Sequence, residues 1–262
     1  MSEKLSIVHV VRSPVGGIFR HIADLASAQN DAAHAVGVIC DSLTGGALED
    51  DWIAALSPKL RLGIVRLPMP RSIGPADLPA CFHVARRMAE WRPDVVHAHG
   101  AKGGVFGRVA AFAERRRGRA VAAFYAPHGG SLHYDSASAS GRVYFAIERA
   151  LERVTDALIH VSAYEAETYR SKIGVPRCPA YVLRNGLRAE EFELVAPAPA
   201  AADFLYMGVL RDLKGVDVFL DALAQLKRQG RAFRAVVVGA GEEADERRYR
   251  ATVASSLAAE VE

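Results

Sequence analysis

Short β-branched runs alternate with segments of helical spacing along most of this 262-residue chain. That alternation limits its fold more than any other feature. Strand candidates are "SIVHVV" (6–11), "AVGVIC" (35–40), "RLGIVRL" (61–67), "DVVHAH" (94–99), "AVAAFYA" (120–126), "ALIHVS" (157–162) and "AYVLRN" (180–185). Several are apolar on both faces, as a parallel sheet covered by helices on both sides requires. Residues 18–29, 75–91, 104–116, 141–153 and 163–172 have helical periodicity between them. Repeated strand–helix–strand units of this kind predict an α/β domain built on a doubly wound parallel sheet.

The pattern breaks at 189–203. "AEEFELVAPAPAAAD" is rich in proline and alanine, has no period, and reads as a linker. Beyond it the alternation restarts, with strands over 204–210 and 233–239 and helices over 216–229 and from 242 to about 259. The predicted organisation is therefore a first domain over 1–188, a linker over 189–203 and a second unit over 204–262. Two strands make a marginal sheet. Either the second unit packs on the first domain or the chain is a piece of a longer one. The expectation is the piece.

Charge excludes some partners. With 33 Lys and Arg against 30 Asp and Glu the formal surplus is +3, too small to suggest a nucleic-acid binder. It is concentrated in "VARRMAEWR" (84–92) and "ERRRGR" (114–119). Such runs are usually solvated helix faces, and the other reading is a weak site for anionic lipid headgroups. Three separated cysteines, Cys40, Cys81 and Cys178, suggest free thiols in a reducing compartment. No segment approaches the roughly 20 apolar residues of a membrane span. The expected location is the cytoplasm, with at most peripheral contact at the inner face of the membrane.

Ligands of doubly wound sheets bind at the carboxyl ends of the strands, and unusual residues collect there. Gly16 and Gly17 follow the first strand and lead into a helix, where backbone N–H groups and the helix dipole suit an anion. His97, His99 and Gly100 end a later strand, followed by Lys102, Gly103 and Gly104. His128-Gly129-Gly130 follows another, and Ser162 with Glu165 has the spacing of a helix cap. In the second unit Arg211 and Lys214 precede a helix, and Gly239 and Gly241 lie in a strand-to-helix turn. Such glycines and cations suit a diphosphate. His9, His34 and His160 read as structural. His97 and His99 point to one side of a strand, but no carboxylate or cysteine stands near them in sequence to complete a ligand set, so no metal is expected.

In order, "GGIFRH", "DVVHAHG", "PHGG", "VSAYE", "VLRNGLRAEEF", "MGVLRDLKGVDVFLDAL" and "VVVGAGEE" resemble the family 4 glycosyltransferases of the GT-B fold. That family is common in bacterial polysaccharide and lipid-linked glycan assembly. The resemblance runs from about Ser6 to Glu243. It implies two Rossmann-like domains facing a cleft, the second binding most of a nucleotide-sugar donor and the first most of the acceptor. It implies that the Gly16-Gly17 turn approaches the donor phosphates, that His128 lies near the transferred sugar as the catalytic candidate, and that Lys214 binds the diphosphate. His97, His99 and the glycines after them would line the acceptor wall, the glycines admitting a bulky acceptor. Val209 stands where the family commonly has arginine, which leaves Arg211 for the phosphate contact. The family's pair of glutamates beyond "VVVGAGEE" has no counterpart.

The implied reaction is retaining transfer of a sugar from a nucleotide-diphosphate donor to a glycan or lipid-linked hydroxyl. The nucleotide sugar is a substrate, and no cofactor is implied. The rival reading is a non-catalytic sugar- or nucleotide-binding module. The sequence "HGGS" (128–131) gives no hydrolase, since no GxSxG elbow accompanies it. A dehydrogenase lacks its GxGxxG.

Overall fold

The computed structural model describes residues 3–262, which form two compact units divided between 188 and 189. The first unit has seven strands: β1 Ser6–Val11, β2 Ala35–Asp41, β3 Gly63–Leu67, β4 Val95–His99, β5 Ala122–Ala126, β6 Ala157–His160 and β7 Ala180–Val182. Its helices are α1 Gly16–Asp31, α2 Ala47–Leu56, α3 Asp77–Trp91, α4 Gly100–Arg116, α5 Ala139–Leu151 and α6 Ala163–Lys172. All seven strands are parallel, in the order β3-β2-β1-β4-β5-β6-β7. The chain winds outward from β1 to β3, then crosses back to β4 and winds the other way. The switch point of this doubly wound sheet therefore lies between β1 and β4, where such folds open their binding crevice.

Alternate residues of the central strands face opposite helical layers. Val8, Val10 and Val96 pack with Ala80, Val84 and Met88 of α3 and Phe106 and Ala110 of α4. Ile7, Val11, Val36 and Val38 pack with Ile22 and Ala26 of α1. α4 lies unusually close to the sheet. A Cβ on Gly103 would stand 2.7 Å from the Val10 carbonyl oxygen, and one on Gly104 2.3 Å from the Tyr125 ring. Gly103 and Gly104 are thus buried packing residues inside a helix that starts at Gly100. They do not form an open turn, and the expectation that they admit a bulky acceptor is corrected.

Two further differences have simple causes. α2 was not expected: only Leu56 of its ten residues is buried, so it carries little apolar periodicity. β7 stops at Val182, three residues short of expectation, and all three of its residues are exposed on the sheet's edge.

In the second unit β8 Phe204–Met207 and β9 Ala235–Val238 pair in parallel, with α7 Val216–Arg228 and α8 Glu243–Ser256. Val216, Leu220, Leu223, Ala235, Tyr249 and Leu257 form its core. Val261 bridges to Ala235 on the other edge of β9, so three extended segments lie side by side. Among the described residues no helix is long and apolar enough to cross a membrane.

Candidate functional site

The carboxyl end of the switch point is built largely of imidazole. β1 and β4 pair with His9 opposite His97. His99 lies two residues on, on the same face as His97, with the two rings 4.0 Å apart between centroids. α1 covers that face and adds His21 and Gln29. The loop after β5 adds His128, whose ring centroid is 5.2 Å from that of His99 and 5.4 Å from that of His21. His9, His97 and His99 are buried, while His21 and His128 are half-buried. His97 and His99, expected on the acceptor side of a cleft, are thus enclosed within the seam. His128 and His21 are the imidazoles that reach toward solvent.

Burial keeps these rings neutral. It pushes His9 down to about 4, only partly offset by the hydrogen bond to Gln29, with nearby His21 adding to the push. His128 is likewise pushed to about 4 by burial and by His21, with Glu165 opposing. His97 and His99 are lowered well below the ordinary range by burial and by neighbouring imidazoles. Clustered in one apolar seam, the rings cannot share several positive charges.

Hydrogen bonds join three of them. His9 Nε2 lies 2.8 Å from Gln29 Oε1, His9 Nδ1 lies 3.0 Å from His99 Nε2, and His99 Nδ1 lies 3.0 Å from His128 Nε2. The same rings form two triads whose ligand atoms lie within 4.8 Å of one another, His9/His97/His99 and His21/His99/His128. Either could hold a transition cation. The sequence neighbourhood of His97 supplies no such ligands; they come from β1, α1 and the β5 loop. A cation in the second triad would compete for the nitrogens that His99 and His128 already use toward each other.

The turn carrying His128 is held under strain. His128 has φ 50° and Gly129 φ 72°, two consecutive left-handed residues, the first of them not glycine. Such a residue costs about 1 kcal/mol or more and persists where its surroundings fix it. Three contacts do so here. The Glu165 carboxylate accepts the Gly129 N–H. Gly130 presses on the first turn of α4, where a Cβ would stand 2.8 Å from the Ala101 nitrogen. Ser131 donates to Glu148 Oε1 at 2.9 Å, which Tyr125 also reaches at 2.7 Å. Glu148 in turn pairs with fully buried Arg108 at 2.7 Å. Ser162 caps α6 as expected, accepting from the Glu165 N–H at 3.0 Å. Glu165 does more than complete the cap, since it also accepts the Val161 N–H at 2.8 Å. Burial opposes its charge, but the His160 imidazole and these N–H groups hold its pKa below the ordinary value.

Gly16 and Gly17 open α1 exposed, with no side-chain cap and no acid in the first turn. α4 also starts without a side-chain cap or acid, directly after His99, and its first residue Gly100 has φ 66°. Two uncapped helix N-termini thus meet the histidine seam at the edge where ligands of this fold bind. Arg12, half-buried just after β1, contacts Thr44 Oγ1 at 3.3 Å.

In the second unit Arg211 precedes the 3-10 turn Asp212–Lys214 and Lys214 ends it, just before α7, and both are exposed. Neither has an ion-pair partner among the described residues. The turn is anchored through Asp212, which accepts from Arg248 and Tyr249 of α8 at 2.7 Å each. Gly239 and Gly241 lie where two loops approach closely. A Cβ on Gly239 would meet the Gly208 oxygen at 1.8 Å, and one on Gly241 the Leu210 oxygen at 2.5 Å. They let the two loops pair beyond β8 and β9. The Gly241 N–H is already bound to Glu246 Oε1 at 2.8 Å.

The model of Glycosyltransferase Family 4 matches residues 15–191, and that of Glycosyl transferases group 1 matches 189–255. The chain belongs to glycosyltransferase family 4. It is 28% identical over 248 residues to a glycogen synthase of Mycobacterium tuberculosis, covering 88% of this chain and 59% of that protein. The chain thus spans well under two thirds of that relative's length. Anabaena Alr3699/HepE, solved in complex with UDP and glucose, superposes with a TM-score of 0.74 at 18% identity, over 98% of this chain and 68% of that one. A glycosyltransferase of Rickettsia africae superposes with a TM-score of 0.70 at 16% identity, over 100% of this chain and 68% of that one. These likenesses show an α/β fold of the GT-B glycosyltransferase kind, with a seven-stranded parallel sheet and a smaller parallel sheet.

Most arginines and acids of the two basic clusters are paired. Arg86 and Arg87 bind Glu90, Arg115 binds Asp156, and Arg117 and Arg119 bind Glu114.

Proposed function

We propose that this glycosyltransferase-family chain transfers a sugar from a nucleotide-diphosphate donor to an acceptor hydroxyl, with retention of anomeric configuration. The observation that supports this most is the seam at the switch point. There a strained turn presents the half-buried, neutral ring of His128 beside two uncapped helix N-termini. A neutral imidazole hydrogen-bonds sugar hydroxyls without adding a cation beside an oxocarbenium-like centre. The N-terminus of α1 at Gly16 and Gly17 suits phosphate oxygens. Charge developing on the leaving diphosphate falls to Lys214 and Arg211, whose side chains have no ion-pair partner among the described residues. HepE binding UDP-glucose lends support to a uridine donor. Titration calorimetry with nucleoside diphosphates, paired with an assay for their release from nucleotide sugars, tests the reading. Binding with no release under any acceptor condition would replace it with a non-catalytic binding module.

A lipid-linked acceptor at the inner face of a membrane is the finer part of the proposal. It is favoured by exposed Leu78 and Phe82 on α3, followed one turn on by exposed Arg86. Flotation with anionic liposomes tests it, and no association at low salt would overturn it.

A further inference from the structure

The seam contains a continuous hydrogen-bonded chain. It runs from Gln29 through His9 and His99 to His128. His9 and His99 each lie between two partners, His128 ends the chain, and a neutral imidazole has one N–H and one lone pair. Each of the two inner rings must therefore donate in one direction and accept from the other. Only two arrangements satisfy all three contacts. In the first the Gln29 oxygen accepts from His9 Nε2–H, His9 Nδ1 accepts from His99 Nε2–H, and His99 Nδ1 accepts from His128 Nε2–H. His128 then shows a bare Nδ1 lone pair. In the second the Gln29 amide is turned and donates to His9 Nε2. Every bond reverses, and His128 shows an Nδ1–H. Any mixture sets two hydrogens or two lone pairs face to face in a buried contact, which costs at least a hydrogen bond.

We propose that Gln29 is a positioning residue that sets the tautomer of His128 through His9 and His99. In the arrangement with the amide oxygen toward His9, all three rings are Nε2–H tautomers and His128 offers an acceptor at Nδ1. Gln29 is half-buried near the end of α1, three helical turns beyond Gly17. It can therefore select the donor or acceptor character of a group it never touches. The coupling of the three tautomers stands on geometry alone. Its consequence for transfer rests on the reading of His128 as the sugar contact.

Nitrogen-15 NMR of the histidine-labelled protein tests this directly, since protonated and bare ring nitrogens have well-separated shifts. The expected result is one shared tautomer, Nε2–H, at His9, His99 and His128. Gln29→Glu can only accept and should keep that tautomer. Gln29→Lys can only donate and should turn the majority tautomer of all three to Nδ1–H together. His99→Phe should make His128 insensitive to residue 29. Mixed tautomers in the unsubstituted protein overturn the proposal without any variant. So does an unchanged His128 tautomer in a folded Gln29→Lys protein, or a transition cation bound stoichiometrically at these rings as purified. If His128 switches but sugar release is unaltered, the relay stands and the sugar-contact reading of His128 falls.

Discussion

Glu165 on α6 accepts a hydrogen bond from the backbone N–H of Gly129, thirty-six residues earlier in the chain, and so holds the left-handed turn that aims His128. Its other oxygen takes the Val161 N–H at 2.8 Å. Glu165→Ala leaves both donors without their acceptor, a loss of roughly 1–3 kcal/mol for each that stays buried. Glu165→Gln keeps one acceptor oxygen and should lose about half as much. Urea unfolding midpoints measure this, and equal midpoints for Glu165→Ala and the unsubstituted protein would contradict the clamp.

Gly104 and Gly17 should respond oppositely to alanine. At Gly104 the new methyl stands 2.3 Å from the Tyr125 ring, while at Gly17 it meets nothing within 4 Å. Gly104→Ala should destabilise by about 1–3 kcal/mol through overpacking. Gly17→Ala should stabilise by about 0.5–1 kcal/mol as a helix substitution. Thermal melts of the two proteins give the comparison.

Arg108 is fully buried with its guanidinium on Glu148 at 2.7 Å. Arg108→Met leaves that carboxylate without its cation, and the expected cost is about 3–5 kcal/mol. Adding Glu148→Gln should recover part of the loss, because no buried charge remains. A double variant less stable than the single one would refute the pairing.

Acid should weaken the first unit. The His9 pKa lies at about 4 in the folded chain against an ordinary 6.5. Between those values the unfolded chain binds a proton that the folded one does not. Stability is therefore complete above about pH 6.5 and falls as the pH drops toward 4. His9 alone accounts for about 3 kcal/mol across that window, and His128 acts in the same direction. His9→Asn should flatten the pH dependence of the unfolding midpoint, and an unaltered slope would exclude His9 as a source.

Lys214→Ala removes an exposed cation that has no ion-pair partner among the described residues, so the melt should not change. Nucleoside diphosphate affinity should fall about 10-fold or more, as for a charge-assisted hydrogen bond. Calorimetry reads this, and unchanged affinity would remove Lys214 from the donor contacts.

Strand alternation made the fold of the first unit legible, because a two-sided apolar run has few homes other than a covered parallel sheet. α2 escaped because a helix lying on the surface needs no apolar stripe. Parts of the site were legible where a residue type is odd for its place, as with His97, His99 and His128 at strand ends. His9 was visible too, but it sits within a strand and read as structural. Its register partner His97 is 88 residues away, and pairing across a sheet is not written locally. Gln29 and His21 carry no signal of their own on a helix surface. Glu165 was found as a cap, while its second bond, to Gly129, depends on tertiary contact. Glycine spacing misled at Gly103 and Gly104, since a residue with no Cβ serves close packing as readily as it makes room for a ligand.

One rod of backbone, α1, begins at the uncapped Gly16-Gly17 turn and meets the imidazole chain with Gln29 near its end. Each residue added to or removed from that rod would swing Gln29 by about 100° around the axis and take its amide off His9. Its span is thus a ruler: insertions belong in the loops on either side, and one within the helix would cost the imidazole chain its alignment while leaving the sheet intact.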